Sequence, residues 1–367
     1  MGLTKPIEQN SIKLSRYIYV SKDIIRGGFG MNIKNMIRYR EVWMGLAIVW
    51  VVFFHSGIWP ASEFMTEIKM IGYGGVDIFM FASGIGCFCS LQKNDELIEF
   101  FKRRVLRIIP TYWCFLLMWT IYNGIYGEIS WNSILGNLLC VRHLTGLGGE
   151  FNWYISAMWC MYLMAPLLKK IVDKINTKYQ FVSIIGVLFL FSICFWDTTT
   201  YIIIMSRFPI FFIGMYVGKM AWQDIVIRKV GFCSCMVMMV AGIGLLRYLQ
   251  NVYPDYLWSR GGYWYPFILI VPGGCMLISY MMEVLKKIGM DWIEKILAIP
   301  GKFSFEIYLL HIWFFDILNN NLIAKGILEY KRSVWVGAIL MLIPLCIVLR
   351  KITSLLLPIY GYVCKNK

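Results

Sequence analysis

Two histidines inside apolar runs are the residues of this chain best suited to moving a proton. His55 closes the uncharged run VWMGLAIVWVVFFHSGI, and His311 lies within FSFEIYLLHIWFF. The chain has three histidines in all, so two of them sit where hydrocarbon is expected. An imidazole titrates near neutral pH and can take and return a proton. It is costly to place in a membrane, where ionisable groups mark a partner, a cavity or a reaction. On a helix rising 1.5 Å per residue, His55 is expected about 20 Å from the start of its span. The bland alternative for each is a hydrogen-bonded packing residue.

Further charges accompany them. Asp77 lies in GGVDIFMFASGIG and Arg207 in SRFPIFFIGMYVG, at similar expected depth and of opposite sign. They could form an ion pair tying two helices, or face a substrate. Glu306 precedes His311 by little more than a turn. Glu150 precedes Trp153 and Tyr154 at the mouth of another apolar run. The stretch FFKRRVLRIIPTYW holds Lys102, Arg103, Arg104 and Arg107. Such a cluster can anchor a helix at the membrane surface or grip phosphates, which guanidinium groups bind bidentately.

Membrane helices must position these groups. Hydrophobic residues make up 59% of the chain and charged residues 16%, far from the balance of a soluble domain. The runs are continuously apolar rather than alternating, which excludes a transmembrane β-barrel. The expected fold is all-α and polytopic, with ten spans near 42–58, 72–91, 109–125, 152–168, 180–196, 201–219, 231–249, 263–285, 303–319 and 333–349. The longest loop between them is too short for a soluble domain. With the N-terminus inside, the six cytoplasmic segments hold 28 Lys and Arg and the outer loops seven. That asymmetry is the positive-inside pattern, and it places both termini in the cytoplasm. It also accounts for the net charge of +15 without nucleic acid, through attraction to anionic lipid. Residues 1–35 read as a basic cytoplasmic extension lacking the apolar stretch of a secretory signal, 36–357 as the membrane domain and 358–367 as a short cytoplasmic tail. The eleven cysteines fall mostly in apolar runs and form no Cys-x-x-Cys pair, so neither a metal site nor a disulfide is expected.

Taken in order, these stretches resemble the acyltransferase 3 family of integral-membrane O-acyltransferases. The matching segments are GLAIVWVVFFHSG with His55, GGVDIFMFASG with Gly75, Asp77 and Gly84, and FFKRRVLRIIPTYW with Arg103, Arg104 and Pro110. NWYISAMWCMYLMAPLL with Trp153 and Pro166, SRFPIFFIGMYVG with Arg207, and GKFSFEIYLLH with His311 continue the series. The family often has Arg at the position of Met44; here Arg40 lies one turn earlier on the same face. It commonly has Glu at the position of Met158 or Trp159. The resemblance implies transfer of an acyl group, usually acetyl, from cytoplasmic acyl-CoA to a hydroxyl of a cell-surface or lipid-linked polysaccharide in a bacterial plasma membrane. It implies His55 as the catalytic residue with His311 in reserve, and Arg103 and Arg104, with Arg107 and Arg40, at the acyl-CoA phosphates. Asp77, Glu150, Trp153, Tyr154, Arg207 and Glu306 are then expected in the cavity or at the acceptor. Acyl-CoA is a donor substrate rather than a bound cofactor, and in place of the esterase-like domain some relatives append, the chain is expected to act alone or with a separate partner. A glycan transporter, with polar residues at mid-membrane, is the rival reading.

Overall fold

The computed structural model describes residues 30–126, 130–145, 153–196, 198–253, 257, 260–356 and 358. Helix dominates, because a backbone in hydrocarbon must satisfy its hydrogen bonds within itself. Two short helices, α1 (Ile33–Arg38) and α3 (Glu63–Met70), flank α2 (Arg40–His55). Then come α4 (Gly75–Lys93), α5 (Leu97–Tyr126), α6 (Trp131–Leu138), α7 (Trp153–Asp173) and α8 (Lys178–Ile193). The second half holds α9 (Thr199–Met205), α10 (Phe208–Trp222), α11 (Lys229–Val252), α12 (Phe267–Lys287), α13 (Trp292–Lys302), α14 (Ser304–Asp316) and α15 (Arg332–Leu356).

Seven helical stretches among the described residues are long and apolar enough to cross a membrane: Gly72–Lys93, Leu97–Ile125, Trp153–Asp173, Thr199–Trp222, Lys229–Val252, Phe267–Lys287 and Arg332–Leu355. The protein is a multi-pass, all-α integral membrane protein. Helices also occupy the other three expected spans, but they are short. α8 has 16 residues, and α14 has 13 before it continues as a π-helix over Ile317–Ile323. α2 also has 16 residues and stops at His55, three residues before the expected end. Ser56 turns extended there (φ −71°, ψ 153°), and Pro60 shortly after disfavours helix in the residue before it. His55 is therefore the last residue of its helix, about 20 Å along it from Val42, where the span was expected to begin. A second departure is a two-stranded ladder, β1 (Gly30–Asn32) antiparallel to β2 (Val226–Arg228), which ties the start of the described chain to the α10–α11 connection.

Small residues let the central helices touch. A Cβ on Gly84 of α4 would lie 2.1 Å from the Phe211 carbonyl oxygen of α10, and one on Gly214 2.2 Å from that of Phe81. Likewise a Cβ on Gly45 would lie 2.0 Å from the Leu297 oxygen, and one on Gly301 1.9 Å from that of Glu41. Backbone-to-backbone contact of this kind is how helices associate where no hydrophobic effect separates them from lipid. It fixes α4 against α10 and α2 against α13. Trp43, Phe81, Phe88, Phe211 and Phe212 fill the core around them.

Candidate active site

One end of the bundle is basic. A cavity of about 650 Å³ opens there between α2, α4, α5, α7, α13, α14 and α15. Arg40, Arg104, Arg107, Lys302 and Arg350 line it, with Glu41 and Glu306 as its carboxylates. Arg104 donates to the Gly86 carbonyl at 3.1 Å, and its guanidinium lies over the rings of Phe100 and Tyr162 at 4.9 and 5.4 Å. Arg40 reaches the same glycine: a Cβ there would touch Nη1 of Arg40 at 3.4 Å. Neither Arg40, Arg104 nor Arg107 has an ion-pair partner among the described residues. Three arginines lining one cavity, two of them meeting at Gly86 and none in an ion pair among the described residues, make a site for an anion. Met44 and Met158, at positions where the resemblance led one to expect charge, line the same cavity.

Glu306 belongs to this end, not to His311. It is buried and accepts from Arg350 through Nε at 2.8 Å, with Nη2 at 2.7 Å from the same oxygen. Arg350 also donates to the Lys302 carbonyl at 2.7 Å and stacks on Phe303 at 4.1 Å. Five residues along a helix turn well past a full revolution, which sends Glu306 and His311 in different directions.

The inner wall of the cavity is aromatic. Tyr154 and Tyr308 line it and pack with ring centroids 4.6 Å apart. The Tyr308 ring in turn lies 5.7 Å from that of His311. His311 is fully buried, and its Nε2 stands 3.3 Å from Nδ1 of His55. His55 itself keeps an exposed edge at the far end of α2. From Arg40 to His55 the helix rises about 22 Å. Basic cavity, tyrosine pair, buried histidine and exposed histidine thus form one line through the protein.

Backbone carbonyls fix the protons on this pair. His311 Nδ1 faces the Tyr308 and Ile307 oxygens at 2.7 and 3.0 Å, and a carbonyl only accepts, so this nitrogen carries the hydrogen. The neutral ring then presents a lone pair at Nε2. His55 Nδ1 faces the Val51 oxygen at 2.9 Å and that lone pair at 3.3 Å, so it too is the donor. The remaining nitrogen of His55, Nε2, is left unprotonated and makes no hydrogen bond among the described residues. It is a base whose ring is oriented by a second residue, the relation of a nucleophile-activating histidine to its carboxylate.

A family model described as an acyltransferase domain matches residues 41–351. The chain belongs to the acyltransferase 3 family. No curated protein and no solved structure gives a significant match. The match runs from Glu41 on the basic cavity to Lys351, just past Arg350, and so takes in both histidines of this membrane acyltransferase.

The other expected site residues fall in three places. Arg103 does not line the basic cavity, although its neighbour Arg104 does. Asp77 and Arg207 are buried together, Nε to Oδ1 at 3.7 Å, and the Arg207 guanidinium is sandwiched between Trp153 and Trp264 at 4.8 and 4.2 Å. This favours the ion pair that ties α4 to the α9–α10 corner, though Oδ2 of Asp77 has no hydrogen-bond partner among the described residues. Glu150 lies outside the described residues. Sequence reasoning missed Lys302, Arg350 and Tyr308. The first two sit in stretches where basic residues are expected as membrane anchors, and nothing in a sequence separates an anchor from a cavity wall.

Proposed function

We propose that this acyltransferase moves an acyl group, acetyl in the simplest case, from cytoplasmic acyl-CoA to a hydroxyl of a cell-surface or lipid-linked polysaccharide. The observation that carries the reading is the line from the basic cavity through Tyr308 to the histidine pair. The phosphates of the donor bind Arg40, Arg104 and Arg107, and its thioester arm points past Tyr154 and Tyr308 toward His311 and His55. The acceptor hydroxyl meets His55 from the exposed side. Nε2 takes the hydroxyl proton as the oxygen attacks the thioester carbon. The carbon–sulfur bond breaks, and the proton passes from His55 to the departing thiolate, leaving an ester and free CoA. While His55 is cationic, the Nε2 lone pair of His311 stabilises its Nδ1–H. Tyr154 and Tyr308 supply hydroxyl donors at the inner end of the cavity for the developing oxyanion, where low dielectric strengthens such bonds.

This reading has ten spans, both termini in the cytoplasm and a bacterial plasma membrane as the setting. Its test uses the full chain in lipid nanodiscs, acetyl-CoA labelled in the acetyl group, and a membrane extract of lipid-linked and surface glycans as acceptor. The label should enter the glycan fraction and stay there until mild base cleaves the ester. His55→Gln keeps hydrogen bonding but not proton transfer, and should lose the ~10²–10⁴-fold that a general base contributes. Near-normal transfer by His55→Gln would remove the base from His55 and sink the mechanism.

A further inference from the structure

Lys69, in the short helix α3, has no place in the chemistry above, yet it is only 3% exposed. An ammonium has three N–H donors and no acceptor. All three are used on the end of α2: Nζ donates to the carbonyls of Phe53 at 3.1 Å, Phe54 at 3.0 Å and Ser56 at 2.6 Å. These are the oxygens that a helix leaves without partners at its C-terminus. The Phe53 oxygen has other donors, the Ser56 N–H at 3.3 Å and the Ser56 hydroxyl at 2.8 Å. Those of Phe54 and Ser56 have Lys69 alone among the described residues. The buried charge has no carboxylate to pair with among those residues. It is held by the negative end of the α2 dipole and by the rings of Phe53 and Trp59, 5.6 and 5.1 Å away. Burial pulls this ammonium below the ordinary lysine pKa.

Helix ends fray, and His55 is the terminal residue of α2. Its contact with His311 depends on that last turn staying wound. We infer that Lys69 is a positioning residue for His55: its three hydrogen bonds lock the final turn of α2 and so hold Nδ1 of His55 against Nε2 of His311. The inference rests on the reading of His55 as the base. The fold supplies its own control. Lys219 performs the same service for α7, donating to the carbonyls of Val172, Asp173 and Ile175 at 3.0, 3.1 and 2.8 Å, in a part of the bundle without a histidine.

With only three histidines in the chain, nitrogen NMR of the full protein labelled at histidine in nanodiscs reads each ring directly. In the native protein His55 should show a protonated Nδ1 and a bare Nε2. Lys69→Met should shift this ring toward the mixed tautomers of a solvated imidazole. It should also lower kcat for acetyl transfer from acetyl-CoA to glycan extract by roughly tenfold or more, with KM for acetyl-CoA unchanged. Lys219→Met should lower thermal stability and leave both the His55 signals and kcat as they were. Should Lys69→Met fail to reach the membrane, Lys69→Arg is read in the same way, since it keeps the charge but alters the reach. Unmoved His55 signals and kcat in a folded Lys69 variant, with His55→Gln inactive, overturn the role of Lys69 alone. Full transfer by His55→Gln overturns the reading of the base instead.

Discussion

At the scale of residues, the basic cavity makes a prediction that the sequence alone does not. FFKRRVLRIIP offers two adjacent arginines, and the resemblance treats them as a pair. In the fold only Arg104 lines the cavity, joined there by Arg40 and Arg107. Arg40→Ala, Arg104→Ala and Arg107→Ala should each weaken CoA binding about tenfold, with an effect that shrinks as salt screens the phosphates, while Arg103→Ala stays within about twofold of native. Calorimetric titration of CoA at two ionic strengths separates these cases, and an Arg103→Ala loss as large as that of Arg104→Ala would remove the phosphates from this cavity. The pairing of His55 with His311 was half legible. Each histidine announces itself by the cost of an imidazole in an apolar run, but no periodicity says that residues 256 positions apart will meet. Glu306, five positions before His311 on the same helix, lies at the basic cavity with Arg350, since closeness along a helix is not closeness across it. His311→Phe should fill the space without the lone pair and cut kcat sharply while the binding of CoA persists, measured in the same nanodiscs.

Elements were easier to read than their contacts. Continuous apolar runs gave helices at every expected span, because a backbone in hydrocarbon has so few alternatives. Helix ends were less visible. The extended Ser56 and the π-helix after α14 reflect local geometry that hydropathy does not register. Nor does hydropathy distinguish a glycine that admits a neighbouring backbone from one that faces open space. Gly84 is of the first kind and Gly186 of the second, with nothing within 4 Å of a Cβ built there. Gly84→Ala should therefore force α4 and α10 apart and cost about 1–3 kcal/mol or more, as overpacking does. Gly186→Ala should be neutral or stabilising by up to ~1 kcal/mol, since alanine is the better helix former. Thermal unfolding in detergent reads both, and a Gly84→Ala protein as stable as native would mean that the two helices do not meet at that glycine. α4 carries Asp77 and the cavity wall, so the close contact at Gly84 helps to set the site as well as the fold.

The whole molecule sorts its connections in the way the charge count expects. Segments assigned to the cytoplasm touch one another: β1 pairs with β2, Lys219 caps α7, Lys302 lies 3.9 Å from Glu41, and Arg350 donates to the Lys302 carbonyl. Segments assigned to the outside do likewise. Arg247 pairs with Glu67, Tyr330 donates to the Gly57 carbonyl, and His143 meets the Thr200 oxygen at 2.8 Å. These contacts group the helix ends into two sides, and the count of Lys and Arg alone assigns one of the two to the cytoplasm. On the proposed topology the basic cavity opens to the cytoplasm and the exposed edge of His55 faces the other side. The assignment is open to a direct test in whole cells with a thiol reagent that does not cross membranes. Lys325→Cys, exposed after the π-helix, should label from outside, above the background of the native cysteines. Lys287→Cys, exposed at the end of α12, should label only once the cells are permeabilised. The reverse pattern would invert the bundle and turn the arginine cavity away from acyl-CoA. The histidine pair would keep its geometry but would face a different compartment, and a donor other than cytoplasmic acyl-CoA would have to be sought.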